Sequence, residues 1–109
     1  LRAFLRGAEG CFPLRSPTTT IGRHRDADIV LQSAGVEERH AALECGAAGL
    51  VLRDLASSRG TLLNGCLVHG AAVGVRPGDV LRFGPRGPRY QLVLLRGDGS
   101  SQVGRAPPW

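Results

Sequence analysis

Apolar positions fall in short runs along the chain, separated by segments rich in glycine, proline, aspartate and asparagine. Leu1-Arg2-Ala3-Phe4-Leu5 opens the pattern, and Cys11-Phe12-Pro13-Leu14 follows a turn over residues 7–10. Thr18-Thr19-Thr20-Ile21 is β-branched at every position, which restricts χ1 and favours extended backbone, and Gly22 ends the run. Similar runs lie at residues 27–31, 40–44, 50–52, 61–63, 66–68, 79–83 and 90–95. Their spacing, roughly eight to twelve residues, is that of an all-β sandwich or barrel. Ala41-Ala42-Leu43 has helical propensity, but the segment is too short to nucleate a helix. The expected fold class is all-β.

Turn chemistry sharpens the expectation. Asn64-Gly65 sits between two apolar runs, and both residues tolerate positive φ, which predicts a tight hairpin. Pro77-Gly78-Asp79 predicts a second turn feeding the strand at Val80. After Leu95 the apolar spacing stops, and the chain ends in Ala106-Pro107-Pro108-Trp109. The expected organisation is one domain over 1–96 and a flexible linker over 97–109. Leu1 in place of methionine reads as a chain trimmed at its start.

Composition fits this picture. At 109 residues and 11.5 kDa there is room for one domain, and 42% hydrophobic residues supply a core. No apolar run reaches the length of a membrane span, and the start lacks a secretory pattern, so no membrane partner is expected. The 14 basic residues are all arginine and the net charge is +5. That usage fits either bidentate anion recognition or the base composition of the gene. The arginines are interleaved with Asp and Glu and form no long basic run, so nucleic acid is not the expected partner. Cys11, Cys45 and Cys66 are odd in number and lack metal-ligand spacing, which points to free thiols in a reducing, intracellular compartment.

Chemistry that would make an enzyme is missing from the sequence. There is no phosphate-binding or dinucleotide-binding glycine motif, no G-x-S-x-G elbow and no H-E-x-x-H pair. Glu37 and Glu38 are adjacent, so in an extended segment their side chains point apart. The expectation is a non-enzymatic protein with no cofactor and no metal.

A different constellation is present. Gly22-Arg23 follows a β-branched strand, and Glu37-Glu38-Arg39-His40-Ala41 precedes another. Residues 54–65, containing Ser57-Ser58-Arg59-Gly60-Thr61, run on towards Pro77-Gly78-Asp79-Val80-Leu81-Arg82-Phe83-Gly84. This order and spacing, covering residues 1–95, resemble the forkhead-associated (FHA) domain, a β-sandwich that reads phosphothreonine. Ala8-Glu9-Gly10 and Thr19-Thr20-Ile21-Gly22-Arg23-His24 are most similar to FHA modules of long coiled-coil proteins.

The resemblance implies an FHA/SMAD-like sandwich of two antiparallel sheets and eleven strands, with peptide-binding loops at one end. Arg23 matches the arginine that contacts phosphate, and a guanidinium fork suits two phosphate oxygens. Ser57 and Ser58 match the second binding loop. Arg59 stands where the family has an asparagine that holds the peptide backbone. Glu37 and Glu38 depart from the family pattern: Glu37 stands at the position of a phosphate-binding serine, where an acceptor-only carboxylate removes a donor and adds repulsion. Arg39 and Arg59 either supply further cations near the phosphate or are solvated loop charges. Asn64 either helps form a slot for the threonine methyl or serves only the hairpin. Gly22, His40, Gly60, Thr61 and Gly65 are implied scaffold of the site, with Asp54, Asp79 and Phe83 in the framework.

The implied function is recognition of phosphothreonine-containing proteins by a module of a larger, intracellular coiled-coil protein. The alternative is a degenerate FHA domain used for phosphate-independent scaffolding or self-association.

Overall fold

The computed structural model describes residues 2–95 and 101–102. Strands β1 (Arg2–Gly7), β2 (Gly10–Pro13), β7 (Thr61–Leu63), β8 (Cys66–Val68), β10 (Val80–Phe83), β11 (Arg89–Leu95) and β12 (Ser101–Gln102) form one sheet. Its order is β2-β1-β11-β10-β7-β8, with β12 paired to the end of β11. The second sheet has the order β4-β3-β5-β6-β9, from β3 (Thr18–Gly22), β4 (Ile29–Val30), β5 (Ala41–Gly46), β6 (Gly49–Asp54) and β9 (Ala72–Val75).

The inner faces follow from period-two alternation. Leu81 and Phe83 of β10 point inward between the half-buried Val80 and Arg82, and Thr19 and Ile21 of β3 are buried while Thr20 is exposed. Leu5, Ile21, Leu43, Leu52, Leu81, Tyr90 and Leu92 form the shared core. Truncating a fully buried member such as Leu43 to Ala costs about 2–5 kcal/mol. An aromatic row, Phe12–Tyr90–Phe83–His40, runs from the outer strand β2 towards the loop end, with centroids 5.8, 6.2 and 5.9 Å apart. Burial, with Glu9 beside it, pushes the Tyr90 hydroxyl up to about 12, and that hydroxyl donates to Glu9 at 3.2 Å.

The all-β sandwich agrees with the sequence reading, and three details differ. One pairing is parallel: Ile21 lies beside Ile29 and Gly22 beside Val30. Asp28 fastens it: its carboxylate accepts from the Thr20 amide at 2.8 Å and from the Thr20 hydroxyl at 3.1 Å, and its amide donates to that hydroxyl at 3.0 Å. The run at 27–31 therefore yields only a two-residue strand. The described residues form twelve strands rather than eleven. Finally, β9 has no apolar signal of its own, being exposed except at Val75. Of the segment expected as linker, only Ser101–Gln102 falls within the described residues, where it pairs with Leu94 and Leu95.

Both predicted turns form. Asn64 (φ 51°) and Gly65 (φ 83°) connect β7 to β8, and Gly78 (φ 94°) follows Pro77. Cys11, Cys45 and Cys66 are free thiols.

Candidate functional site

Strand ends at one end of the sandwich lead into residues 23–28, 31–40, 55–60 and 84–88. The site begins at Gly22, where β3 ends. A Cβ there would come within 2.1 Å of the Glu38 carbonyl oxygen, so only glycine lets the 31–40 loop lie across the strand end. The crossing is fixed by backbone bonds: Arg23 N donates to Glu37 O at 2.9 Å and His24 N to Glu38 O at 3.2 Å. His40 N donates to Ile21 O at 3.0 Å.

His40 then joins this loop to the next. It is fully buried, its Nδ1 accepts from the Glu37 amide at 3.2 Å, and its Nε2 lies 2.9 Å from the Gly60 carbonyl. Those partners fix the tautomer, with Nδ1 bare and the proton on Nε2. Gly60 adopts φ 79°, and its carbonyl also accepts from Gly84 N at 3.1 Å. Three loops are thus held through one imidazole and one carbonyl.

Asp54, at the end of β6, organises the 55–60 loop from below. Its carboxylate accepts from Gly70 N at 2.7 Å, Ser57 Oγ at 2.7 Å, Thr61 Oγ1 at 2.9 Å and Ser57 N at 3.3 Å. Burial alone would raise its pKa, but these hydrogen bonds outweigh burial and hold it below the usual carboxylate range.

Between the braced loops lies a cleft of about 730 Å³, lined by Arg23, Gln32, Glu37, Glu38, Ser58 and Arg59, with Gly35 and Val36 beneath. Arg23 and Arg59 are exposed and form no ion pair among the described residues. Glu37 does have a partner: its Oε2 accepts from the Ser58 amide. Hydrogen bonds from the Ser58 hydroxyl and amide hold the Glu37 carboxyl below its ordinary range, so it stays charged at neutral pH.

The structure therefore brings together Arg23, Glu37, Glu38, Ser58 and Arg59. It places three expected site residues elsewhere. Ser57 is buried with its hydroxyl on Asp54. Arg39 lines a neighbouring pocket of about 290 Å³ with Thr20, Ile21, His24 and Leu55, which shares only Glu38 with the cleft. Asn64 donates to Asp79 at 3.0 Å and accepts from Val80 N at 2.9 Å, on the hairpin away from the cleft. Gly65 shares that hairpin, while Gly22, His40, Gly60 and Thr61 do brace the site. Sequence reasoning missed Gln32, Gly35 and Val36. Val36 carried a signal, as an apolar residue amid polar neighbours that is now buried, but Gln32 and Gly35 carried none.

Chemically, two exposed guanidinium groups with no ion pair among the described residues suit an anion. Among the described residues no group of His, Cys, Asp and Glu could hold a metal, and no helix is long and apolar enough to cross a membrane.

Residues 19–84 match the FHA domain family. The chain is 34% identical over 93 residues to the glycogen accumulation regulator GarA of Mycolicibacterium smegmatis, covering 85% of this chain and 55% of that protein. It is 35% identical over 86 residues to an oxoglutarate dehydrogenase inhibitor of Corynebacterium glutamicum, covering 79% of this chain and 56% of that protein. Among solved structures, Mycobacterium tuberculosis EmbR in complex with a low affinity phosphopeptide superposes with a TM-score of 0.76 at 31% identity, covering 84% of this chain and 24% of that one. The chain thus spans about half the length of GarA and of the inhibitor, and a smaller part of EmbR.

Proposed function

The chain belongs to the FHA domain family, and from that premise we propose that its loop-end cleft recognises phosphothreonine-containing proteins as a non-enzymatic interaction module. The observation that carries this reading is Arg23. Its guanidinium is exposed at the cleft, pairs with no carboxylate among the described residues, and stands on a backbone fixed by two loop-to-strand hydrogen bonds. A phosphate carries about −1.5 to −2 charge at neutral pH and offers three acceptor oxygens, which a guanidinium fork meets two at a time. Pre-braced loops need little ordering on binding, so a short peptide suffices despite its small interface. The phosphopeptide bound to EmbR, a relative of the same fold, supports the same ligand class.

Calorimetric titration with a phosphothreonine peptide library, against its unphosphorylated and phosphoserine counterparts, tests the reading. Saturable heat with the first and none with the unphosphorylated peptides is expected. Heat that does not depend on phosphate would overturn it.

One observation favours a second reading, a phosphate-independent scaffold. The Ser58 amide is already taken by Glu37, and the cleft carries two carboxylates beside its two free arginines. Equal binding of a partner protein by the native chain and Arg23→Ala would support that reading. In either case we place the domain in a larger, intracellular coiled-coil protein. The support is the similarity carried by residues 8–10 and 19–24, together with three free thiols.

A further inference from the structure

Two sets of donors face the cleft, and they are not equally available. Arg23 and Arg59 have no carboxylate partner among the described residues. Ser58 has one, because its amide donates to the Glu37 carboxylate. Glu37 is itself rigidly placed. Its carbonyl accepts from Arg23 N and its amide donates to the buried His40, so its backbone cannot drift away from the cleft. An incoming anion therefore meets a Ser58 amide already satisfied by an anion of the protein's own. We propose that Glu37 acts as an internal anion that occupies the Ser58 amide, so that a ligand phosphate is held by Arg23 and Arg59, and that Glu37 sets the affinity and selectivity of the cleft.

This rests on the phosphopeptide reading above and extends it. Two ligand consequences follow from the geometry. A phosphate oxygen that seeks the Ser58 amide must displace a carboxylate already seated there, which weakens binding without abolishing it. Arg59, whose Cδ lies over Gly35 on the facing loop, becomes the second cation of the site rather than a solvated charge. Electrostatics act in the same direction, since a charged carboxylate beside the phosphate repels it while the two guanidinium groups attract it.

The test is a binding cycle on the native chain, Glu37→Gln, Glu37→Ala and Arg59→Ala, using one phosphothreonine peptide and amide NMR as a second readout. Glu37→Gln keeps the shape and an acceptor, so it guards against a misfolded Glu37→Ala. Both Glu37 variants should bind about tenfold tighter than the native chain, and Arg59→Ala about tenfold weaker. The Ser58 amide resonance should stay nearly still on titrating the native chain and move on titrating Glu37→Ala.

Native binding that is unchanged or weakened in both folded Glu37 variants would overturn this inference and leave the phosphopeptide reading intact. So would a Ser58 amide that moves equally in native chain and variant. Failure of native chain and variants alike to bind at millimolar peptide would overturn the phosphopeptide reading itself. Binding by the Glu37 variants alone would support Glu37 as the internal anion while overturning the phosphopeptide reading of the native chain.

Discussion

Glu37, on a loop, and Asp54, at the end of β6, are carboxylates each held below its ordinary pKa by hydrogen bonds, yet they do different work. Asp54 is 3% exposed and accepts from two amides and two hydroxyls, all within the protein. Glu37 faces the cleft, and its carboxylate shares a single residue, Ser58. The difference lies in what replaces each carboxylate when it is lost. Beneath the site the Asp54 carboxylate is buried among its donors, so loss appears as instability. In the cleft a phosphate can substitute, so loss appears as altered binding. Similar local chemistry becomes scaffold or specificity according to burial.

The largest break in this contrast should come from Asp54→Ala. It leaves two hydroxyls and two amides without their acceptor, at a cost of about 3–5 kcal/mol in chemical denaturation. Acid provides a gentler version. Because the folded-state pKa of Asp54 is depressed, its contribution is fully present above the unfolded value and is lost as pH falls through the folded one. Asp28, lowered first by the Thr20 amide and then by Arg15, adds loss of the same sign. Stability of the native chain should therefore fall below about pH 4, and Asp54→Asn should show a shallower fall over that window, read from urea melts at stepped pH.

Next in size is Arg23→Ala. Removing a charge-assisted pair to phosphate should weaken phosphopeptide binding by about thirtyfold, with the melting temperature unchanged because the side chain is exposed and unpaired. Smallest is Asn64→Ala. It should cost about 1 kcal/mol of stability, through the lost bonds to Asp79 and Val80 and an Ala at positive φ, and change phosphopeptide affinity less than twofold. A binding defect in Asn64→Ala without a stability defect would blur the contrast between scaffold and cleft.

How much of this was legible in the sequence differs from element to element. Strands whose residues alternate between core and solvent, such as β10 with Leu81 and Phe83 inward, were legible because burial imposes the period. The Asn64-Gly65 hairpin was legible because positive φ restricts residue choice. β9 was not, since an edge strand with one buried residue has no face to advertise. The parallel β3–β4 pairing goes with three hydrogen bonds between Thr20 and Asp28, which no local pattern announces.

At the site, Arg23 and the paired loops were legible as motif residues, as was the departure at Glu37. The partner of Glu37 was not. Read alone, an acidic residue at a phosphate-reading position means repulsion; only the fold shows that its carboxylate reaches across to residue 58. Likewise Ser57 and Ser58 are adjacent and chemically identical, and the bend of the loop turns one into the Asp54 network and the other towards the cleft.

The most direct test of the central claim is an amide NMR titration of the labelled domain with a phosphothreonine peptide library, with unphosphorylated and phosphoserine libraries alongside. The account predicts saturable, phosphothreonine-dependent shifts at Arg23, Arg59 and the cleft-lining Gln32, with Asn64 and Gly65 unmoved. Spectra that stay flat at millimolar phosphopeptide, or that respond equally to unphosphorylated peptide, would contradict it.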